Sequence, residues 1–594
     1  MVQDFSKLHN HECEELICSG SVSELLKKYK SYAPLWDITA VHVVKGVNSQ
    51  LKPAGWREML LEGETVDEDS HFILDGVIHG FKIVDPHAVV PEYETGNYSS
   101  ATVKAFDFID NLLLDELRSG KLSLVKDKPR CVHALGAVPK ATGGYRPISD
   151  ASRPEGCSIN AFMSVTFQHF QFAKMDDVCK IIVPHCFLAV TDIAAAYRSV
   201  LIRPEDRRHH GLKWTVDGRE QYIVDNCISF GTRAAPFLFN RLTDSVTRYM
   251  LRQGYMCFNY LDDFLVMGVT YETCRDAQLA LHALLRRLGF FIAYKKVSSP
   301  SKVQRYLGID IDTVGMKLRL PEDKLVKLKQ ELSFFHGRRQ ATRKQLQRLC
   351  GILSHCSSLV RGGRTFSHRV IELLKGFPGK KRYITLSKGF HKDLEWWENF
   401  SRWFNGEARI IDSDRDRCVE LAMDASGRGY GVVFEGDWLA GAWEGSLKSG
   451  ADRHEHLRPV PDMEIPGNIN VQEFYPLIEA LWRWGPAMRD SKIVVRSDNT
   501  QVVAAINSGR SDNKVAMVIL RRIFWLSVLF NCHVVSEHIP GRLNVTADAL
   551  SRLLYSSTVF PSMLCCSCRP EVCGVGSDGV GGKSALVGTG DMAH

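Results

Sequence analysis

What the 594-residue chain lacks narrows its class before any motif is read. It has no uninterrupted apolar run of membrane length: the longest apolar helix candidate, residues 515–530, is broken by Arg521-Arg522, so no membrane span is expected. No basic-then-apolar signal peptide opens the sequence. Its seventeen cysteines are scattered through apolar stretches such as Val178-Cys179 and Leu349-Cys350, without the dense spacing of a secreted disulfide framework. A reducing intracellular compartment, cytoplasm or nucleus, is therefore the expectation. Net charge is scarce as well, at +7, yet residues 319–382 hold sixteen Lys or Arg against four Asp or Glu. That local excess, sixteen minus four, is larger than the net charge of the whole chain and marks the segment for phosphate-backbone contact. With 45% hydrophobic and 24% charged residues the rest is ordinary globular material, long enough for three or more domain-sized units.

The chain is organised around Tyr260-Leu261-Asp262-Asp263. Two β-prone apolar runs, 255–259 and 264–268, joined by a pair of aspartates predict a hairpin with carboxylates at its turn. Adjacent like charges are costly there unless a cation binds them, and hard divalent cations take oxygen ligands. A bare Asp-Asp is most often an exposed turn and no more, so a third carboxylate decides the matter. Residues 187–191 read as a buried strand closed by Asp192, which faces the hairpin if the two strands are neighbours in one antiparallel sheet. Upstream, residues 132–139 and 145–148 read as strands about a Gly143-Gly144 tip. Lys140 and Arg146 flank that tip, placed to grip a triphosphate if it folds over one. Ser229-Phe230-Gly231 leads into a helix at 237–251, a glycine loop that lets backbone approach a nucleotide or template base. Further helices are expected at 22–29, 56–61, 101–118, 320–335, 342–354 and 390–404.

A second set of acids lies downstream. Residues 419–426, 429–434 and 438–443 read as three short strands, followed by a helix at 471–484 with Glu473 in its first turn. Then come a strand at 492–496 ending at Asp498, a helix at 500–507, a long apolar helix, a strand at 532–537, and a final helix bearing Asp548. With Asp424 on the first strand, four acids fall at element ends.

In order, Lys140…Arg146-Pro147-Ile148-Ser149-Asp150, Asp192…Ala196-Tyr197, Phe230-Gly231…Ala235-Pro236, Tyr260-Leu261-Asp262-Asp263, Leu288-Gly289-Phe290…Lys295-Lys296 and Tyr306-Leu307-Gly308 resemble the successive motifs of reverse transcriptases. The resemblance implies that Asp192, Asp262 and Asp263 hold two Mg²⁺ or Mn²⁺ ions. It further implies that Tyr197 lies under the sugar and rejects a 2′-hydroxyl, that Lys140 and Arg146 grip the triphosphate, and that Phe230 and Gly231 pack on the nucleotide. The downstream order of strands and helices, with Asp424, Glu473, Asp498 and Asp548, resembles ribonuclease H, again with two ions. Many members carry a histidine about where Arg542 falls; His538 here matches the His-x-Pro-Gly start of that loop in retrotransposon enzymes. Trp396-Trp397 with Phe404-Asn405-Gly406, an insertion before Asn468, and the closing Ala547-Asp548-Ala549-Leu550-Ser551-Arg552 look most like DIRS-type elements, with gypsy-type long-terminal-repeat elements next. No aspartic-protease Asp-Thr-Gly with its domain and no integrase zinc pattern is seen. A recombinase or integrase encoded separately would be the missing partner.

The expected fold is α/β (α+β): a right-hand polymerase with an antiparallel palm sheet, followed by a ribonuclease H-like mixed domain. The expected parts are residues 1–99, an amino-terminal extension and the start of the fingers; 100–318, fingers and palm; 319–412, a basic helical thumb and connection; 413–555, the ribonuclease H-like domain; and 556–594, a disordered Gly/Cys-rich tail. In that tail Cys565, Cys566, Cys568 and Cys573 fit no common zinc spacing, and Gly579 to Ser584 lacks the first glycine of a phosphate loop, Ser577 standing in its place. RNA template, DNA primer, dNTPs and an RNA/DNA hybrid are the implied partners. The rival reading is a catalytically silent, nucleic-acid-binding relic of a mobile element.

Overall fold

In the computed structural model, residues 50–61, 68–140, 143–168, 172, 174–216, 218–360, 362–377, 382–410, 417–443 and 469–552 are described. The chain divides into two compact units, Met1–Asp416 and Arg417–His594. The helix expected at 22–29, the insertion before Asn468, and the cysteine and glycine motifs of the tail lie outside the described residues. Both units are mixed α/β.

The first unit is built on a four-stranded antiparallel sheet in the order Phe291–Ile292, Phe187–Ala194, Asp263–Gly268, Met256–Tyr260. Its strands are runs of bulky and β-branched residues with almost no exposed position, as befits a sheet covered on both faces. Ala189, Cys257, Phe264 and Val266 share one core with Phe239 and Leu242 of helix Ala234–Arg252 and with Ala277 and Leu281 of helix Tyr271–Leu288. The latter helix starts at Thr270, whose side chain accepts a bond from Thr273 N. It stops at Gly289, where φ is +95° and a Cβ would lie 2.1 Å from Gln50 O.

That contact brings residues 50–81 into the same core. Trp56, on helix Pro53–Leu61, is fully buried and donates its indole N–H to Leu288 O at 3.0 Å. On helix Glu68–His79, buried Asp69 pairs with both Arg241 and Arg248. These helices thus form part of the sheet's support.

A five-stranded sheet, ordered Tyr93–Glu94, Cys131–Val132, Gly211–Val216, Arg219–Asp225, Leu122–Val125, and a separate hairpin, Ala134–Pro139 with Tyr145–Asp150, make up a second layer. The helix expected over 101–118 is two, Ser99–Thr102 and Phe106–Arg118, interrupted at Val103, where φ of −122° leaves the helical region. A third sheet of Val303–Tyr306, Ile309–Asp312, Lys317–Arg319 and Glu407–Arg409 was not anticipated, although Ile309-Asp310-Ile311-Asp312 alternates as a strand should. It ties down the start of the basic segment: Lys317 and Arg319 reach Glu407 at 2.8 and 2.9 Å, and Arg319 also pairs with Asp312. Helices Glu322–Phe335 and Arg343–Cys356 follow, the second opened by a Thr342/Gln345 capping box. Arg348 is engaged by Glu331 at 2.7 Å, while Lys329, Arg338, Arg339, Arg343 and Lys344 are exposed.

The second unit holds a five-stranded sheet ordered Asp437–Ala442, Gly429–Phe434, Cys418–Ala425, Lys492–Ser497, His533–His538. The first three strands form an antiparallel meander, and the last two join in parallel. Helices Tyr475–Trp484 and Lys514–Leu529 bury their apolar faces in one core with Leu421, Val432 and Val495. Parallel pairing of Cys418–Ala425 with Lys492–Ser497 sends both strands the same way, so Asp424 and Asp498 emerge at one end of the sheet.

Candidate functional site

The first acid site is made by register. Asp263 pairs with Tyr260 in the hairpin and with Asp192 on the neighbouring strand. Asp192 does not close its strand as expected: the strand continues to Ala194 because Ile193 and Ala194 pair with Ile292 and Phe291. At the hairpin turn Leu261 takes a left-handed conformation, φ +55°, uncommon for a branched residue, and Asp262 O accepts a bond from Ile193 N at 2.9 Å.

Burial and crowding hold the Asp262 and Asp263 carboxyls above the usual range. Asp263 is pushed up to about 7, first by burial and then by its hydrogen bond to Asp192 and the nearby Asp262 charge. Asp262 is also raised, by burial and by Asp192, with Lys296 and Arg146 opposing. Lys296 answers the excess charge, its ammonium 2.6 Å from Asp192 Oδ2.

Facing these acids is an aromatic and cationic wall. Tyr197 is buried, its ring centroid 4.8 Å from that of Phe230, and Arg146 lies over the other ring partner, 4.7 Å from the Phe230 centroid. Burial and the Asp262 charge push the Tyr197 phenol up to about 12, so it is neutral at any working pH. Gly231 has φ +111°, and a Cβ there would lie 1.9 Å from Ser149 O. The loop is pinned by Ser149 N donating to Phe230 O at 2.9 Å and by buried Asn160, which donates to Gly231 O at 2.9 Å and accepts from Arg233 N at 2.8 Å. Lys140 stands exposed at the hairpin tip, its amide bonded to Gly144 O.

The second acid site gathers Asp424, Glu473 and Asp498, whose ligand oxygens all lie within 4.8 Å of one another, the one such acid group among the described residues. Glu473 falls between helices Ile469–Gln472 and Tyr475–Trp484 and not inside one continuous helix as expected. That break leaves its carboxyl buried, and Oε2 has no hydrogen-bond partner. Burial, then Asp424 and Asp498, push Glu473 up to about 8; burial pushes Asp424 up to about 6, despite a bond from Ser551. Asp548 is outside this group, half-exposed at 41% and paired with Arg552 on helix Val545–Arg552.

Several residues here escaped the sequence reading. Ser551 Oγ donates to Asp424 Oδ2 at 2.7 Å, and buried Asn544 donates to Met423 O at 3.0 Å, so the last helix and its entry hold the first strand from behind. Asn499 caps helix Thr500–Ser508 with its side-chain oxygen and bonds Glu473. Gly541 backs onto Asp498, where a Cβ would come within 3.0 Å of Oδ2. The Asn after Asp498 was a readable N-cap signal; Ser551, a small polar residue in a helix, gave none. His538 is exposed, opposite Ser497 at its strand's end, and Arg542 lies on the short turn Gly541–Leu543.

Asp424, Glu473 and Asp498 present hard oxygen donors in a number and degree of burial that suit divalent ions, and the partnerless Glu473 Oε2 is the plainest sign of fit; Asp192, Asp262 and Asp263 do not meet that spacing.

Residues 138–311 match the family model described as reverse transcriptase (RNA-dependent DNA polymerase). The chain is 23% identical over 396 residues to the retrovirus-related Pol polyprotein from transposon opus of Drosophila melanogaster, covering 62% of this chain and 34% of that one. It is 20% identical over 371 residues to an enzymatic polyprotein of Cassava vein mosaic virus, covering 60% and 51%. It therefore spans about a third to a half of the length of these curated relatives. Among solved structures, the foamy viral protease-reverse transcriptase in complex with dsDNA is similar at 15% identity and a TM-score of 0.45, covering 91% of this chain and 97% of that one. The matched segment runs from the hairpin of Lys140 and Arg146 past all three acids of the first site, and the chain accordingly carries the reverse transcriptase domain of a retroelement polyprotein.

Proposed function

We propose that the chain is an RNA-directed and DNA-directed DNA polymerase of a retrotransposon, fused to a ribonuclease H that degrades the RNA of the hybrid it makes. The observation that carries this reading is the placement of Asp192 opposite the Asp262-Asp263 turn within the matched segment, beside the wall of Tyr197, Phe230 and Arg146. Asp192, Asp262 and Asp263 would hold Mg²⁺ or Mn²⁺; when bound, such ions neutralise the attacking and leaving oxygens of phosphoryl transfer. Arg146 and Lys140 bind and orient the triphosphate of an incoming dNTP. Tyr197, fixed against Phe230 and Phe239, supports the sugar and excludes a 2′-hydroxyl by its bulk. Lys296, 2.6 Å from Asp192 Oδ2, orients that carboxylate.

In the second unit, Asp424, Glu473 and Asp498 would hold the ions, with Asp548 completing the set at the rim, for hydrolysis of RNA paired to DNA. A hybrid is the product of the first site and the substrate of the second, which gives the fusion its chemical sense. Exposed cations of the basic helices, Lys329, Arg343 and Lys344 among them, supply duplex backbone contacts. Residues 319–412 act as thumb and connection, and the lineage is read as DIRS-type, with gypsy-type elements next. The test is primer extension on an RNA template beside Asp262→Asn, with a labelled RNA strand in a parallel hybrid beside Asp424→Asn. Two activities lost separately in the two variants support the reading. Folded protein that binds hybrid but neither extends nor cleaves would leave it a silent relic.

A further inference from the structure

A cavity of about 380 Å³ opens in the first unit, and none of the acid-site residues lines it. Its walls carry four cations, Lys82, Arg130, Arg203 and Arg208, and three acids, Asp85, Glu205 and Asp206. The count is nearly balanced, but the bonding is not. Asp206 is engaged by the backbone, accepting from Ile83 N at 2.8 Å and Val84 N at 3.3 Å. Arg203 is engaged by Asp75 and by Gly80 O. Among the described residues Arg130 is hydrogen-bonded through Nε alone, donating to Val90 O at 2.7 Å, which leaves its two terminal nitrogens for a ligand. Lys82 and Arg208 have no acid within ion-pair distance among the described residues. Basic groups thus outnumber the acids able to answer them, and the acids that remain, Asp85 and exposed Glu205, are partly or fully solvated.

His209 also lines the cavity. It is 5% exposed, and its Nδ1 is sealed from solvent with no hydrogen-bond partner. Its backbone cannot swing to find one: the His209 amide donates to Asp206 O at 2.9 Å, and its carbonyl accepts from His133 Nε2 at 3.0 Å. Burial, and then the Arg208 and Arg130 charges, lower the His209 pKa to about 4. Arg130 and Arg208 line the same cavity as this sealed imidazole, so an anion held there meets both guanidiniums.

We propose that this cavity is a binding site for a phosphate monoester carried on a sugar, with Arg130 and Arg208 on the phosphate oxygens. The guanidinium fork matches phosphate geometry, and the Nε bond to Val90 O restrains Arg130 before a ligand arrives. Lys82 adds charge. Glu205 and Asp85 disfavour a bare polyphosphate but accept from hydroxyls, which selects a sugar-borne phosphate. The volume lies within the range of small-ligand pockets. A free nucleotide and the 5′ end of a nucleic acid strand share this chemistry, and the experiment separates them.

The test is calorimetric titration of the full-length protein, without divalent ions, using adenosine 5′-monophosphate, a 5′-phosphorylated RNA 12-mer and the same RNA with a 5′-hydroxyl. Arg208→Ala, Arg208→Glu and Lys82→Ala alter side chains that make no structural ion pair, and unchanged melting temperatures verify their folding. Expected is binding of the monophosphate that weakens at least about tenfold in Arg208→Ala, and further in Arg208→Glu, with Asp262→Asn as wild type. If only the 5′-phosphorylated RNA shows that dependence, the site takes strand ends. Absence of binding by both, or affinities indifferent to Arg208 and Lys82, would overturn the proposal.

Discussion

Asp263 stands opposite Asp192 in an antiparallel ladder, and the two carboxyls share a hydrogen bond while Lys296 holds Asp192 from the other side. With Asp263 pushed up to about 7, folding without metal takes up a proton that the unfolded chain, at about 3.9, would release. The stability tied to this group is full below about pH 4 and is lost as pH rises through about 7. Asp263→Asn removes the ionisable group. It is expected to stabilise metal-free protein at pH 8 by roughly 1–3 kcal/mol in denaturant melts, while DNA synthesis falls at least about a hundredfold. A variant no more stable than wild type at pH 8 would mean that Asp263 is ionised at little cost.

Gly231 allows no side chain. At φ +111°, with Ser149 O 1.9 Å from an added Cβ, Gly231→Ala must push the Phe230 loop off the Tyr145–Asp150 strand. Phe230 carries contacts to both Tyr197 and Arg146, so the loss should appear as weakened dNTP binding before loss of fold. The expectation is a KM for dNTP raised at least about tenfold in primer extension, with a destabilisation of about 1–3 kcal/mol. A wild-type KM would separate this loop from the nucleotide.

Asp69 answers two buried guanidiniums at once. Asp69→Ala leaves Arg241 and Arg248 in the core without it, and breaking such a buried pair costs roughly 3–5 kcal/mol. Because Arg241 and Arg248 lie on the helix that backs the acid hairpin, synthesis should be lost at 37 °C and partly regained at lower temperature. Full activity with an unchanged melting temperature would show that residues 68–79 are dispensable to the sheet.

Why that dependence was invisible in the sequence, while the hairpin was not, has a physical basis. The Tyr260-Leu261-Asp262-Asp263 turn announces itself through local chemistry: β-prone runs of fixed period and polar residues where a chain must reverse. The same holds for the downstream meander and for the helix opened by Asn499. Asp69, by contrast, is one acid among several on a polar stretch, and its partners lie 172 and 179 residues away. Lys296 gave half a signal, as one of two adjacent lysines; only the strand pairing of Phe291–Ile292 decides which of them reaches Asp192. Glu473 was found, but its seat in a helix break was not, because the break depends on Ile469–Gln472 meeting Tyr475–Trp484 with Pro476 in its first turn. Boundaries set by tertiary pairing, such as the strand extension past Asp192, leave no local trace.

Glu473 supplies the last prediction, one that separates metal binding from catalysis. Its carboxyl is buried, Oε2 has no hydrogen-bond partner, and burial with the Asp424 and Asp498 charges pushes it up to about 8. At pH 7 it is therefore mostly protonated. A divalent ion needs the ionised oxygen, so loading this site must expel that proton, whereas Asp424, pushed up only to about 6, has little left to give. Adding Mn²⁺ or Mg²⁺ in weak buffer at pH 7 is expected to release close to one proton per site from this unit, falling toward none at pH 9. To remove the contribution of the first site, the titration uses Asp192→Asn as the parent. In that background Glu473→Gln should abolish the release and weaken metal binding, yet leave the metal-free protein as stable or more so, since an amide carries no charge into the buried position. Proton release that persists in Glu473→Gln would place the titrating group elsewhere. If metal binds with no release at all, Glu473 is not among its ligands.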